Sequence, residues 1–215
     1  TFTVTANNVS CTDQTSVILN ALSCSGFYVD DYSIRGNAVV SGNQITLTPA
    51  QTNQFGAAWG KDRLDLNQDF RIQSQLYFGN NNNGADGLAF VLQPLSTNQG
   101  QLGGGMGFEG INPSLAVEFD TYYNGVFETT ANDHMALIKN ALTEGNHSFF
   151  ASAIDLGNIE DGNWHDFEAR WMADTKNLKI YYDGLLRFDI VLDITTEIFN
   201  GNPFTYFGFT AATGG

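Results

Sequence analysis

The sequence predicts an all-β protein, a sandwich built from antiparallel sheets. Short apolar runs recur at intervals of about 8–14 residues, separated by turn signals rich in Gly, Asn and Asp. Several runs alternate apolar and polar residues with the period of two of a strand that faces a core on one side. No stretch sustains a 3.6-residue apolar period beyond about two helical turns. The composition agrees. Of 215 residues, 42% are hydrophobic, 13% aromatic and only 15% charged, and 23 are Gly. That is enough for one substantial core joined by many tight turns. No internal repeat with a period of roughly 20–50 residues and no dividing linker is evident, so residues 1–215 are expected to form a single domain.

Taken in order, Phe27–Ile34 and Ala38–Leu47 read as strands, with turn signals at Arg35-Gly36-Asn37 and Ser41-Gly42-Asn43. Phe55–Leu66 holds Trp59 and a Gly60-Lys61-Asp62 turn. Phe70–Phe78 alternates, with Phe70, Ile72, Ser74 and Leu76 on one side and Arg71, Gln73, Gln75 and Tyr77 on the other. Asn80–Gly84 is a loop, and the unbroken apolar run Leu88–Leu92 is a buried strand. Met135–Ile138 and Phe149–Ile154 read as short strands. In Trp164–Met172, Phe167, Ala169 and Trp171 point inward, and Asp166, Glu168 and Arg170 outward. After an Asp174–Asn177 turn, Leu178, Ile180 and Tyr182 form the next inward face. Asp183-Gly184 is a two-residue hairpin signal leading into Leu185–Val191. Ile194–Phe199 suits one short helical turn, and Phe204–Ala211 closes the chain as a strand. Trp59, Trp164 and Trp171 fall inside these patterns and are assigned to the core. His147 and His165 are given no role.

A net charge of −14 excludes nucleic acid as a partner, because its phosphates repel such a surface. No run of about 18 apolar residues exists, so no helix is expected to insert in a membrane. Cys11 and Cys24 are the only cysteines, and no CxxC pair argues for zinc. They are expected to form a disulfide of an exported protein; the alternative is two reduced, buried thiols. Thr1 reads as a processed end or the boundary of a domain excised from a larger secreted protein.

Chemistry concentrates in Leu115–His134. On a strand, Leu115, Val117, Phe119 and Thr121 share one face, and Glu118, Asp120, Tyr122 and Asn124 the other. Two carboxylates two residues apart repel unless something positive lies between them. Oxygen ligands on a strand running into a loop suit calcium, and His134 adds a nitrogen fit for a transition metal. A plain hydrogen-bonded strand is the other reading of the same spacing. Asp86 stands at the mouth of the buried Leu88–Leu92 strand, either as a turn residue bonded to its own backbone or as a rigid carboxylate at the rim of the core. The Gly-rich loop Gln93–Gly110 has the length of a binding loop, and Gly103, Gly104 and Gly105 permit close backbone approach to a ligand. It is not a phosphate loop, since no Lys-Ser/Thr follows.

Ala85-Asp86-Gly87-Leu88-Ala89-Phe90, the Gly103–Gly105 loop, Val117-Glu118-Phe119-Asp120-Thr121-Tyr122, Asn124, His134 and Gly208–Gly214 together resemble the legume-type (L-type) lectins, in that family's order and closer to its bacterial members. The resemblance spans roughly Phe27 to Gly215. It implies a concanavalin-like jelly-roll β-sandwich that binds carbohydrate, depends on calcium and acts outside the cell, secreted or at its surface, in adhesion or glycan recognition. It implies sugar contacts from Asp86, a backbone N–H of Gly105 or Gly104, Tyr122 and Asn124. It places calcium on Asp120, the Tyr122 carbonyl and Asn124, and manganese or another transition metal on Glu118, Asp120 and His134. Where the family carries a second bridging aspartate, this chain has Thr129, so Glu128 and Asp133 are candidate substitutes. Two rival readings are a calcium-stabilised adhesion module with a vestigial sugar site and a jelly-roll glycoside hydrolase. The hydrolase pattern starts at Glu118 and Asp120 but lacks its second Glu, with Thr121, Tyr122 and Tyr123 following, so no enzyme is expected.

Overall fold

A computed structural model of the chain describes residues 2–6, 28–102, 105–125, 130–140, 148–149 and 151–214. The chain runs through β1 (Phe2–Ala6), a 3-10 turn (Val29–Asp31), β2 (Tyr32–Gly36), β3 (Val39–Ser41), β4 (Gln44–Thr48), β5 (Phe55–Gly60), β6 (Leu64–Asp65) and β7 (Phe70–Tyr77). Next come β8 (Gly87–Gln93), β9 (Leu115–Asp120), β10 (Asp133–Lys139), β11 (Ser148–Phe149) and β12 (Ile154–Gly157). The last part holds β13 (Trp164–Met172), β14 (Asn177–Tyr182), β15 (Leu185–Val191), α1 (Ile194–Glu197) and β16 (Phe204–Ala212). Every strand pairing among the described residues is antiparallel. One sheet has the order β15-β14-β13-β7-β1-β4-β3. The other has the order β11-β10-β9-β8-β16-β5-β2, with β12 also on β10 and β6 on β16. This is the sandwich that the strand pattern and turns foretold, in the jelly-roll form that the resemblance implied.

The main core lies between the sheets and is aromatic. Phe90, Phe119, Phe167 and Phe209 meet one another at ring separations of 5.1–6.0 Å. Trp171 joins the same core and donates its indole N–H to the Leu66 carbonyl at 2.9 Å. A second apolar cluster covers the other face of the β8–β9 sheet, formed by Ala57, Trp59, Ala89, Val91, Ala116, Ala136 and Ile138. The long loop after β8 lays Met106, Phe108 and Ile111 over it. Both faces of β8 and β9 are thus covered, and every residue of both strands is buried. This double burial is why Leu88–Leu92 is apolar without alternation.

Several expectations are corrected. Phe27–Ile34 is not one strand: Phe27 lies outside the described residues, and Val29–Asp31 forms a 3-10 turn. The Asp31 carboxylate accepts the Tyr28 N–H at 2.7 Å and holds that turn. Phe149–Ile154 is two strands, because β11 and β12 pair with opposite ends of β10 and the chain leaves the sheet between them. Trp164 is not core: it is 39% exposed. It sits at an odd offset from the inward Phe167, so strand alternation turns it out. His165, given no role, is buried, stacked on Tyr182 at 5.2 Å with its Nδ1 2.8 Å from the Asp183 carboxylate. Glu168 points outward as expected, yet is buried among Arg71, Gln73 and Arg170, which all donate to it. The Asp183-Gly184 hairpin holds, with φ of 49° and 72° at its two residues, as a primed turn requires. The expected helical turn is α1, capped where the Asp193 carboxylate accepts the Thr196 N–H at 3.1 Å. Cys11 and Cys24 lie outside the described residues.

Phe119 touches Phe78, Phe167 and Tyr182 and has no exposed surface. Phe119→Ala should therefore cost about 3–5 kcal/mol in urea unfolding. A loss below about 1 kcal/mol would place the ring outside a packed core.

Candidate functional site

Two distant stretches meet because of one register. β8 and β9 run antiparallel with Gly87 opposite Asp120, so Asp86 comes beside the end of β9. The Thr121 N–H donates to the Asp86 carbonyl at 3.1 Å, and the Asp86 N–H donates to the Ala212 carbonyl of β16 at 3.0 Å. The Asp86 backbone is thus pinned on both sides while its side chain lies at the rim. The Ala85–Asp86 peptide is cis. Only glycine suits position 87. Its φ is 145°, and a Cβ there would come within 2.2 Å of the Phe119 carbonyl oxygen.

From β9 the chain enters the loop that carries Tyr122 and Asn124. The Asp120 carboxylate accepts the Tyr122 N–H at 2.8 Å. The Asn124 side-chain amide lies 3.5 Å from the Tyr122 carbonyl oxygen. Neighbouring oxygen ligands of a calcium ion, each about 2.3–2.6 Å from it, stand roughly 3–3.7 Å apart. An amide flip presents the Asn124 oxygen at that separation, so this oxygen-rich set fits calcium. Glu118, Asp120 and His134 share one sheet face, His134 lying opposite Asp120 and Ala136 opposite Glu118. All three are buried, at 1%, 7% and 3% exposure. Among the described residues, no three His, Cys, Asp or Glu side chains converge closely enough to hold a metal. Glu128 and Gly104 lie outside the described residues.

Asp86, Tyr122 and Asn124 line a single cleft of about 770 Å³. One wall is the turn from Ala50 to Asn53, stapled to the end of β16. The Asn53 N–H donates to the Gly214 carbonyl at 2.9 Å, and the Thr213 hydroxyl donates to the Gln51 carbonyl at 2.6 Å. The other wall is the amide-rich run with Asn80, Asn81 and Asn83, and Leu102 of the long loop completes it. Gly105 is buried and is not among the residues lining the cleft. Its carbonyl accepts the Phe108 and Glu109 N–H groups, so it serves the loop's own turn. Asp133 also turns elsewhere, accepting the Ile159 N–H at 2.7 Å.

The sequence reading missed Glu160, which lines the cleft and is 4% exposed. Its Oε2 has no hydrogen-bond partner. Gly84 packs so closely that a Cβ there would meet Glu160 Oε1 at 2.2 Å. Burial first, and the nearby Asp133 charge second, push the Glu160 carboxyl up to about 7. Burial likewise raises Asp133. Asp155 was missed too. Its carboxylate accepts from the Thr130 hydroxyl, the Asn132 amide and the Gly157 N–H at 2.8–2.9 Å, bracing the approach to His134. Nothing local in the sequence marked the burial of Glu160.

A profile of the legume lectin beta-barrel domain matches residues 27–215. The Bacillus thuringiensis pesticidal crystal protein Cry22Aa is 29% identical over 184 residues, 75% of this chain and 25% of that protein. The 2-acetamido-2-deoxy-D-galactose-binding seed lectin 2 of Cytisus scoparius is 38% identical over 64 residues, 26% of each chain. The chain thus spans about a quarter of the length of these curated relatives. Among solved structures, a Bauhinia forficata lectin in complex with GalNAc superposes with a TM-score of 0.70 at 20% identity, covering 86% of this chain and 87% of that one. The calcium-bound exoplasmic/lumenal domain of VIP36 superposes at 0.67 with 18% identity, covering 86% and 77%. At these identities the superpositions establish the fold.

The Glu160 carboxyl gives a pH test. Its folded value lies above the 4.5 of a free side chain, so the native chain keeps a proton that the unfolded chain has lost. The stability this contributes is full below about 4.5 and disappears as pH rises through about 7. With chelator present, Glu160→Gln should lose less stability than wild type between these limits, by roughly 2–3 kcal/mol. Parallel pH–stability curves for the two proteins would contradict the assignment.

Proposed function

The chain belongs to the legume (L-type) lectin domain family, and on that premise we propose that it binds carbohydrate, with calcium, at the cleft around Asp86. The supporting observation is the meeting of Asp86, Tyr122 and Asn124 at one cleft from separate stretches of sequence. Sugars present hydroxyl pairs and an apolar CH face. A fixed carboxylate accepts from two hydroxyls at once, an amide both donates and accepts, and an aromatic ring covers the CH face. Asp86, Asn124 and the exposed Tyr122 supply these three functions. A backbone N–H of the glycine loop, Gly105 or Gly104, completes the set.

Asp120, the Tyr122 carbonyl and Asn124 would hold calcium, whereas Glu118, Asp120 and His134 do not converge closely enough to hold a second, transition-metal ion. Bound calcium supplies a fixed positive centre that offsets the buried carboxylates and orders the Tyr122–Asn124 loop before sugar arrives. The chain's own residues read the sugar. Binding rather than turnover follows, because no second acid stands at hydrolase spacing from Glu118 and Asp120. A site with so few contacts binds one sugar weakly, with a Kd on the order of 0.1–1 mM. Useful affinity then requires several copies, as in adhesion to a glycan-coated surface outside the cell.

A glycan array read with and without chelator tests the function. Calcium should raise the melting temperature, since it binds the folded chain alone, and Asp120→Asn should abolish the rise. An unchanged melting curve with no heat of binding would remove calcium from the account. Asp86→Ala should fold and lose all measurable sugar affinity, because two charge-assisted hydrogen bonds contribute about 1.5–3 kcal/mol each. Asp86→Asn should retain a trace. Asp174→Asn, in the β13–β14 turn at the other end of β13, should bind as wild type. Should Asp86→Ala bind glycans normally, the sugar site lies elsewhere and a protein-binding adhesion module becomes the better reading.

A further inference from the structure

Trp164 differs from the other two tryptophans. Trp59 and Trp171 are enclosed, at 0% and 1% exposure, whereas Trp164 is 39% exposed. It faces Tyr77 across the β7–β13 pairing, with ring centroids 5.3 Å apart and planes at 40°. Both rings lie on the outward face of the seven-stranded sheet, opposite to the inward Leu76 and His165, so neither fills the core. Tyr77 also lines the cleft that holds Asp86. The Gly162 N–H donates to the Gly79 carbonyl at 2.8 Å, binding the loop before Trp164 to the loop after Tyr77. Between Tyr77 and Asp86 the wall is amide: Asn80, Asn81 and Asn83.

A carboxylate, a row of amides and an aromatic pair, half-buried Tyr77 and exposed Trp164, therefore follow one another along one connected surface. The chemistry of that surface matches a chain of sugar rings. Amides satisfy hydroxyls in either sense, and stacked aromatics take the apolar face of a ring. A lipid or an apolar peptide segment would leave the amides unsatisfied. The cleft volume of about 770 Å³ lies high in the range of small-molecule sites, and a single hexose leaves most of it unfilled. We infer that the site takes an oligosaccharide: one ring at Asp86 and Asn124, the following residues along Asn80–Asn83, and a further ring on Tyr77 and Trp164. This rests on the sugar-binding reading of the Asp86 cleft.

The probes are a tetrasaccharide bound on the array and the methyl glycoside of its terminal sugar. Trp164 is the one tryptophan open to solvent, so acrylamide quenching of indole fluorescence reports on it. The tetrasaccharide should bind about tenfold more tightly than the methyl glycoside and shield Trp164 from quenching. The methyl glycoside should leave quenching unchanged. Trp164→Ala removes an exposed side chain and should keep its melting temperature, lose about tenfold in tetrasaccharide affinity and bind the methyl glycoside as wild type does. Trp164→Phe retains a ring and should recover much of the loss. If the tetrasaccharide binds no better than the methyl glycoside and leaves Trp164 unshielded, while Asp86→Asn still weakens the methyl glycoside, the inference fails and the Asp86 site stands. If Asp86→Asn binds the methyl glycoside as wild type does, the sugar-site reading fails and the inference falls with it.

Discussion

The pairing of Gly87 with Asp120 is the contact on which the site depends. It sets Asp86 at the end of a central strand, between β9 on one side and β16 on the other. A shift of one residue would turn every side chain of β8 to the opposite face. The register is held by burial on both faces: Leu88, Phe90 and Leu92 enter the inter-sheet core, and Ala89 and Val91 enter the outer cluster. A rigid rim carboxylate is thus a consequence of packing on either side of one strand.

The same double burial creates an electrostatic demand. Glu118, Asp120 and His134 lie on the face covered by the outer cluster, where water has little access to them. Carboxylates so placed are costly unless hydrogen-bonded or neutralised, and the Asp120 carboxylate accepts the Tyr122 N–H. Asp133 and Glu160 answer a comparable demand differently. Burial raises both carboxyls, so each holds its proton to a higher pH than a free side chain does.

The long glycine-rich loop has a structural task beside any role in binding. It carries Met106, Phe108 and Ile111 onto the outer cluster, and the Met106 carbonyl accepts the Thr210 hydroxyl at 2.8 Å. The loop therefore roofs the outer face of the sheet while leaving Leu102 at the cleft. Positioning a binding loop by its own buried side chains limits the entropy lost when ligand arrives.

Much of this was legible in the chain. Alternation in Phe70–Phe78 and Trp164–Met172 determined which residues point to the core, and Asp183-Gly184 determined a hairpin, because both follow from local backbone geometry. The order of Asp86, Glu118, Asp120, Tyr122, Asn124 and His134 identified the family, and its match over residues 27–215 bears this out. Tertiary structure decided the rest. Glu160 is buried because the Gly84 loop packs over it, and nothing near it in the sequence announces that contact. The Gly105 carbonyl closes the loop's own turn by accepting the Phe108 and Glu109 N–H groups, a contact the sequence did not mark. Trp164 is different, because its odd offset from the inward Phe167 already turned it outward in the sequence. Periodicity and turn chemistry act over a few residues and are written in the sequence. Burial and convergence depend on which distant segments become neighbours, and only the packed sheets decide that.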